Sequence, residues 1–207
     1  MSSDLLGDAN GDNVVNISDV KAIADHIMGN TPALFIEEAA DMNKDGLVNA
    51  ADIVLLLNIV GGKVQAVKDW TGVKEFAYWF LSEGTDATLK MVADGIAITN
   101  PHKQDQIWTP QTAITDDCLT LKGNHNYIVR LTLKVPSNGT YQIQLGNWST
   151  KSQYEVPVTA SDDWQVIDVA FPNFDGSVEG DGHVLLQNGW VVGTTVVKKV
   201  EVLEIVQ

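Results

Sequence analysis

The sequence is short of cysteine and of basic residues, and each shortage excludes a class of protein. Its single cysteine, Cys118, cannot form a disulfide within the chain, so stability must come from core packing or from a bound metal. We expect Cys118 to act as a small buried apolar residue. Only 13 lysines and arginines oppose 27 acidic residues, and the net charge of −14 argues against nucleic acid as a partner.

Long apolar segments are also missing. No segment is apolar over the length that a transmembrane helix requires, and no secretion signal is recognisable, so we predict no membrane span. The length of 207 residues allows two domains. The acidic charge is uneven, because residues 1–62 hold ten acidic and two basic residues, a net charge of −8.

What the chain does contain is a twelve-residue acidic loop in two copies, at residues 8–19 and 41–52, which begin 33 residues apart. Both copies match the calcium loop of an EF-hand, in which alternate side-chain oxygens and one main-chain carbonyl at position seven surround the ion. Position six needs a sharp turn, which Gly46 and Asn13 can adopt. The predicted ligands of two calcium ions are Asp8, Asn10, Asp12, Val14 and Asp19, and Asp41, Asn43, Asp45, Leu47 and Asp52.

Each loop leads into a helix and lacks a helix before it. Apolar residues recur at helical spacing over residues 19–28 and 52–60, and glycine follows each segment. The first loop begins at residue 8, which leaves no room for an entering helix. A short helical segment is expected in the connector at 32–40. The pattern therefore predicts calcium-dependent folding and not the opening motion of a calcium sensor.

This duplicated loop-helix pattern, over residues 4–62, resembles a dockerin domain. The resemblance implies a small all-α module that folds with calcium and docks onto a cohesin domain of a scaffold protein. It places the cohesin contact at positions ten and eleven of each loop and in the helix that follows. The residues at those positions here are Ile17, Ser18, Ala50, Ala51 and Leu57. Well-studied type I dockerins carry Ser-Thr and Lys-Arg pairs there, so this chain departs from the family, and its apolar contact could be with a cohesin or with its own second domain.

After residue 62 the periodicity changes from helical to alternating. We predict a linker at 63–69 and an all-β jelly-roll sandwich at 70–207, because short alternating segments are separated by turn residues. The expected strands are 75–81, 88–92, 96–100, 107–109, 127–135, 141–146, 164–171, 183–187 and 196–205.

Alternation within two of these strands predicts a polar face. The segments 127–135 and 141–146 flank Asn138-Gly139, a hairpin signal. We therefore expect Arg130, Gln142 and Gln144 to project together from the non-core face of one sheet. Amides and a guanidinium suit sugar hydroxyl groups, which both donate and accept hydrogen bonds. An ordinary solvated sheet face would have the same composition.

The segment 106–111, the segment 119–127 and the strand that follows resemble family-4-type carbohydrate-binding modules, over residues 70–207 as a whole. The resemblance implies a concave sheet face that binds a plant or microbial polysaccharide. By position, it implies sugar contacts from Trp108 and Gln111 as well as from Arg130, Gln142 and Gln144.

The other tryptophans are assigned from their neighbours. Trp148 follows a strand end beside the Gln face, and Trp190 lies in a turn that could rim the cleft, so both are candidate sugar contacts. Trp70, Trp79 and Trp164 are assigned structural roles, with Trp164 in the core.

No catalytic residue is predicted within these residues. Glycosidases need two carboxylates at a fixed separation, and the acidic residues of segment 175–183 fit turn chemistry better. Two hypotheses follow. In the first, the chain is a non-catalytic C-terminal part of a larger secreted or cell-surface polysaccharide-degrading protein. The missing upstream part of that protein would contain the signal peptide and the catalytic domain. Alternatively, the β-sandwich packs on the dockerin as an assembly element and binds no sugar.

Overall fold

The computed structural model describes residues 5–61, 64–71, 80–81 and 86–205. Its N-terminal unit contains three helices: α1 (Ile17–Ile27), α2 (Glu37–Ala40) and α3 (Ala50–Val60). None of the helices in the described ranges combines the length and the apolar character that crossing a bilayer requires.

Helices α1 and α3 begin in the same way because the loop repeat supplies the same caps. Asn16 and Asn49 are the N-cap residues, and each accepts a hydrogen bond from the main chain two residues later. Asp19 and Asp52 complete a capping box from the third helical position. The helices thus start two residues earlier than apolar spacing alone predicts, inside the acidic loops.

Residues 64–205 form two antiparallel sheets. The strands are β1 (Val64–Thr71), β2 (Phe80–Leu81), β3 (Thr88–Val92), β4 (Gly95–Asn100), β5 (Gln111–Leu121), β6 (Tyr127–Val135), β7 (Gly139–Gly146), β8 (Lys151–Val158), β9 (Ser161–Phe171), β10 (Val178–Gln187) and β11 (Gly193–Ile205). The six-stranded sheet has the order β3-β4-β11-β6-β9, with β1 also paired to β11, and the five-stranded sheet has the order β2-β5-β10-β7-β8. The predicted combination of a helical unit and a β-sandwich is confirmed.

The sandwich core lies between the two sheets. It includes alternate residues of β6, such as Val129, Leu131 and Leu133, and alternate residues of β7, such as Tyr141 and Ile143, all at most 1% exposed. Trp70 also lies in this core, as predicted. A second, smaller core joins α1 and α3 and includes Ala170 of β9.

The predicted linker at 63–69 is wrong. Residues Val64–Thr71 form strand β1, which pairs with β11 from Val64 opposite Ile205 to Thr71 opposite Lys199. Most side chains of β1 are exposed or half-buried, as expected for a strand with only one neighbour in the sheet, so its sequence lacks the apolar alternation that indicates a strand.

The predicted hairpin between segments 127–135 and 141–146 is also wrong. Strand β6 lies between β11 and β9, whereas β7 lies between β10 and β8 in the other sheet. Both strands bury alternate side chains in one core, so their alternation is the same whether they pair or face each other. Asn138 instead accepts a hydrogen bond from the main chain of Ala160 at 2.8 Å.

Three smaller expectations also fail. Cys118 is exposed and not buried. Residues 107–109 form a turn, and the strand at this point begins at Gln111. Trp164 lies on the outer face of the six-stranded sheet, half-buried between the ammonium groups of Lys134 and Lys198, at 4.9 and 5.0 Å from its ring centroid. Trp79 and most of the segment 75–81 lie outside the described residues.

Candidate functional site

The two acidic loops have the same internal hydrogen bonds, which supports their assignment as one motif in two copies. In the first loop, Asp8 accepts hydrogen bonds from the main-chain nitrogens of Asp12 and Asn13 at 3.0 and 2.8 Å. In the second loop, Asp41 accepts the equivalent bonds from Asp45 and Gly46 at 3.2 and 2.9 Å.

The last carboxylate of each loop closes it. Asp19 accepts hydrogen bonds from the main-chain nitrogens of Asn10 and Asn16. Asp52 accepts equivalent bonds from Asn43 and Asn49, at 3.3 and 2.8 Å. Both carboxylates are fully buried, so each is held in place at the end of its loop.

Position six of each loop has the predicted left-handed conformation. The φ angles of Asn13 and Gly46 are +64° and +83°. This turn directs the main chain back toward the start of the loop, as wrapping around an ion requires.

The donor set fits a hard cation. Burial raises the pKa of Asp8 and of Asp19 above the ordinary value, and the neighbouring Asp12 carboxylate raises both further, although hydrogen bonds from the main chain oppose the shift. A bound cation would offset this crowding of negative charge. In the described ranges, no group of three or more His, Cys, Asp and Glu side chains is placed to hold a metal by itself. The EF-hand pattern adds Asn oxygens and a main-chain carbonyl to the carboxylates of each loop.

The predicted cohesin contacts are all exposed. Ile17 and Leu57 are 59% and 41% exposed, and Ser18, Ala50 and Ala51 are exposed beside them at the starts of α1 and α3. The alternative that these residues contact the chain's own second domain is therefore wrong. They form an accessible surface, mainly apolar, on the helical unit.

Five predicted sugar contacts line one cavity on the outer face of the five-stranded sheet. They are Trp108, Gln111, Gln142, Gln144 and Trp148. The cavity has a volume of about 250 Å³ and is open to solvent. Amide groups form its floor, and the two tryptophans at its margin are 47% and 49% exposed. Exposed aromatic rings beside paired donors and acceptors are the features that hold a sugar ring.

Sheet geometry explains why these amides converge. Gln142 and Gln144 point away from the core because their neighbours Tyr141, Ile143 and Leu145 point into it. The neighbouring strand β10 adds Gln187, which is directly opposite Gln142 of β7. Strand β8, on the other side of β7, adds Gln153, which is opposite Gln144.

Trp148 is held over the sheet by its neighbours. Its ring centroid lies 4.8 Å from that of His183, and the main-chain oxygen of Trp148 accepts a hydrogen bond from Lys151. Gly146 precedes this loop with φ +135°, and a side chain there would meet the carbonyl oxygen of Thr150 at 2.1 Å. Burial, together with the weaker effect of the Lys151 charge, lowers the pKa of His183 to about 4, although the Asp181 carboxylate opposes the shift. His183 is therefore a neutral hydrogen-bonding group at pH 7.

Gln187 was missed by sequence reasoning and is the most informative addition to the cavity. It is 3% exposed, and its Oε1 atom has no hydrogen-bond partner among the described residues. A buried amide oxygen without a partner is costly unless a ligand or water satisfies it. The period-two alternation of the segment 183–187 places Gln187 on the same face as His183, but only strand pairing places Gln187 beside Gln142.

Arg130 does not belong to this cavity. It lies in β6 of the other sheet and forms a two-point ion pair with Asp168, in which both nitrogen-oxygen distances are 2.7 Å. Its placement beside Gln142 and Gln144 was wrong because it depended on the incorrect hairpin. Trp190 is also absent from the cavity lining, and the ammonium group of Lys103 lies 5.2 Å from its ring.

Residues 6–61 match the family model described as the Dockerin type I domain. No curated protein matches the chain.

Several solved structures are similar to the chain. The ligand-free CBM1 of BiXyn10A is 18% identical, with 67% of this chain and 94% of that one covered and a TM-score of 0.48. The CBM22-1-GH10 modules of Clostridium thermocellum xylanase 10B, complexed with xylohexaose, are 13% identical, with coverages of 66% and 28% and a TM-score of 0.48. The carbohydrate-binding module CBM6cm-2 of Cellvibrio mixtus lichenase 5A, in complex with cellotriose, is 8% identical, with coverages of 67% and 97% and a TM-score of 0.41.

Type I dockerin domains in general bind calcium, which agrees with the oxygen donors of both acidic loops. Residues 6–61 are therefore similar to type I dockerin domains, and the chain joins this segment to a β-sandwich.

Proposed function

We propose that this chain is a non-catalytic targeting segment, in which the dockerin domain binds a cohesin and the β-sandwich binds a polysaccharide. The convergence of five sequence-predicted side chains on one cavity carries the polysaccharide part of the proposal. The cavity offers what a neutral sugar chain needs: aromatic rings at the margin and amides on the floor. Its function would be to hold an enzyme close to the polysaccharide.

The dockerin part of the proposal rests on the matched family and on the exposed surface at the starts of α1 and α3. Two calcium ions would be held, one per loop, by the ligands named from the sequence. Each ion would fix the loop ahead of its helix and so present the cohesin-binding surface. The enzyme served would be a secreted, polysaccharide-degrading one.

The hypothesis that the β-sandwich only packs against the dockerin is less well supported. The two units do touch, through the outer face of the six-stranded sheet and through Tyr154 of β8, whereas the candidate sugar cavity lies on the outer face of the five-stranded sheet. Packing on the dockerin and binding of sugar therefore do not exclude each other.

Titration with soluble polysaccharides tests the sugar site. Xylan, mixed-linkage glucan and mannan would be titrated into the full chain at saturating calcium, with tryptophan fluorescence and affinity gel mobility as readouts. We expect at least one polymer to bind, and Trp148→Ala to weaken that binding at least about tenfold, which corresponds to about 1.4 kcal/mol.

Trp164→Ala is the matched control, because Trp164 is a partly exposed tryptophan on the other sheet. Its loss should leave polysaccharide affinity unchanged. Absence of binding to every polymer tested would refute the sugar-binding role, and equal losses in the two variants would refute the assignment of the cavity.

A further inference from the structure

Part of the outer face of the six-stranded sheet is apolar and buried, which is unusual for a face directed away from the core. Ile128, Ala170 and Leu203 alternate with core residues of β6, β9 and β11, and therefore point outward. They are nevertheless only 1%, 6% and 4% exposed. Something other than the sandwich core must cover them.

The helical unit provides that cover. Ile59, near the end of α3, packs against the cluster that contains Ile128 and Leu203. Ala170 belongs to the core of the helical unit itself, together with Leu6 of the first repeat. In the opposite direction, Leu5 packs against the sandwich core. The two units therefore share apolar core residues and are not joined by the chain alone.

A second contact comes from the second calcium loop. The Nζ atom of Lys44 lies 4.1 Å from the ring centroid of Tyr154 in β8. That ring packs edge-on against Phe171 of the sandwich core, with centroids 5.2 Å apart. An ammonium group over an aromatic ring at a partly desolvated site is attracted to it.

Each contact includes a residue of a calcium loop. Lys44 is the fourth residue of the second loop and has a φ of +56°, and Val15, which packs in the helical core and lines the interface, is the eighth residue of the first loop. A ligand that orders these segments favours the docked arrangement, and by linkage the docked arrangement favours the ligand.

We propose that calcium binding to the N-terminal loops is thermodynamically coupled to docking of the helical unit on the six-stranded sheet. Calcium then stabilises the β-sandwich, and the sandwich increases the calcium affinity of the loops. The coupling rests on the proposed calcium sites and is independent of cohesin and polysaccharide binding. The sandwich acts as a structural partner of the dockerin as well as a module of its own.

The chain separates the two signals needed for a test. All six tryptophans occur at or after residue 70, so tryptophan fluorescence reports on the sandwich part alone. All helices of the described residues lie within 17–60, so the circular dichroism of helices reports on the other unit. Thermal unfolding of the full chain would be followed by both signals, with calcium and with chelator, and calcium affinity would be measured by titration calorimetry.

Ala170→Glu would break the interface by placing a carboxylate in it. Val166→Glu is the matched control, because Val166 lies on the same face of the same strand but is 62% exposed. The added negative charge attracts calcium in both variants, whereas loss of docking weakens calcium binding in Ala170→Glu alone. Tyr154→Leu removes the ring beneath Lys44 and gives an independent break if Ala170→Glu does not fold.

We expect calcium to raise the melting temperature seen by tryptophan fluorescence in the wild type and in Val166→Glu, but much less in Ala170→Glu. Calcium affinity should fall at least about fivefold in Ala170→Glu relative to Val166→Glu, and in Tyr154→Leu relative to the wild type. If calcium binds with equal affinity to all variants, or leaves the tryptophan transition of the wild type unmoved, the coupling is refuted. Absence of any calcium binding by the wild type would instead refute the calcium sites themselves.

Discussion

At the scale of single residues, the buried His183 gives the candidate sugar cavity a polar group and makes the stability of the fold depend on pH. The residue is 1% exposed, its ring lies beneath that of Trp148, and its Nε2 atom lies 3.3 Å from Nε2 of Gln144. Burial lowers its pKa to about 4, so the folded protein keeps the ring neutral through the mildly acidic range. In the unfolded chain the same ring would titrate near its ordinary pKa of about 6.5.

This difference predicts a pH-dependent loss of stability. Below pH 6.5 the unfolded chain binds a proton that the folded chain does not bind, so the free energy of unfolding falls as the pH falls from about 6.5 toward 4. The loss should reach about 3 kcal/mol at the lower limit. Chemical denaturation followed by tryptophan fluorescence at pH 7.5 and 4.5 should show a smaller difference in His183→Gln than in the wild type. Equal differences would contradict the prediction.

At the scale of elements, local repetition was predictable from sequence and long-range pairing was not. The bounds 88–92 and 127–135 were predicted correctly, because alternation and turn residues are local signals. The neighbours of β6 were not predicted correctly. Strand β11, which follows β6 by almost sixty residues, pairs with it, and Asn138-Gly139 does not close a hairpin. Alternation identifies the face on which a residue lies, but not the sheet to which that face belongs.

The same distinction explains the candidate sites. The calcium ligands are contained within twelve residues, so their spacing alone specifies the loop. The sugar cavity combines residues of β5, β7, β8 and β10, which requires the strand order. Gln142 and Gln144 were recognised because they share a strand, whereas Gln153 and Gln187 become neighbours only through pairing.

The first turns of α1 and α3 hold most of the predicted cohesin contact, which a double substitution tests. Ile17 and Ala50 occupy position ten of the two loops, and both are exposed. Replacing both with Asp places a charge in an apolar contact, so the double variant should bind a cohesin domain at least about tenfold more weakly at saturating calcium. Native gel shift and titration calorimetry would measure this.

Leu34→Asp supplies the control for that variant, because Leu34 is 75% exposed in the connector and outside the predicted contact. It should bind the cohesin as the wild type does. If the single variants Ile17→Asp and Ala50→Asp each retain binding that the double variant loses, either helix can provide the contact. An unchanged affinity of the double variant would place the contact elsewhere on the dockerin.

At the scale of the whole molecule, one outer face of the sandwich contacts the helical unit and the other contains the candidate sugar cavity. The helical unit covers Ile128 and Leu203 on the six-stranded sheet, whereas the candidate sugar cavity lies on the outer face of the five-stranded sheet. The exposed residues at the starts of α1 and α3 remain accessible in this arrangement. A cohesin and a polysaccharide would therefore be held on separate surfaces of one body, so that binding of one leaves the site of the other open.

A shared core also predicts that the two units tumble together. Because Leu5 packs in the sandwich core and Ala170 packs in the helical core, the calcium-loaded chain should rotate as a single particle of 22.5 kDa. Nuclear magnetic relaxation of main-chain amides should give equal rotational correlation times for residues of α1 and of β6. In Ala170→Glu the helical unit is freed from the sheet and, being the smaller body, should rotate faster than the sandwich. Unequal times in the calcium-loaded wild type would show that the units move independently, and the relative placement of the two binding surfaces would then not be fixed.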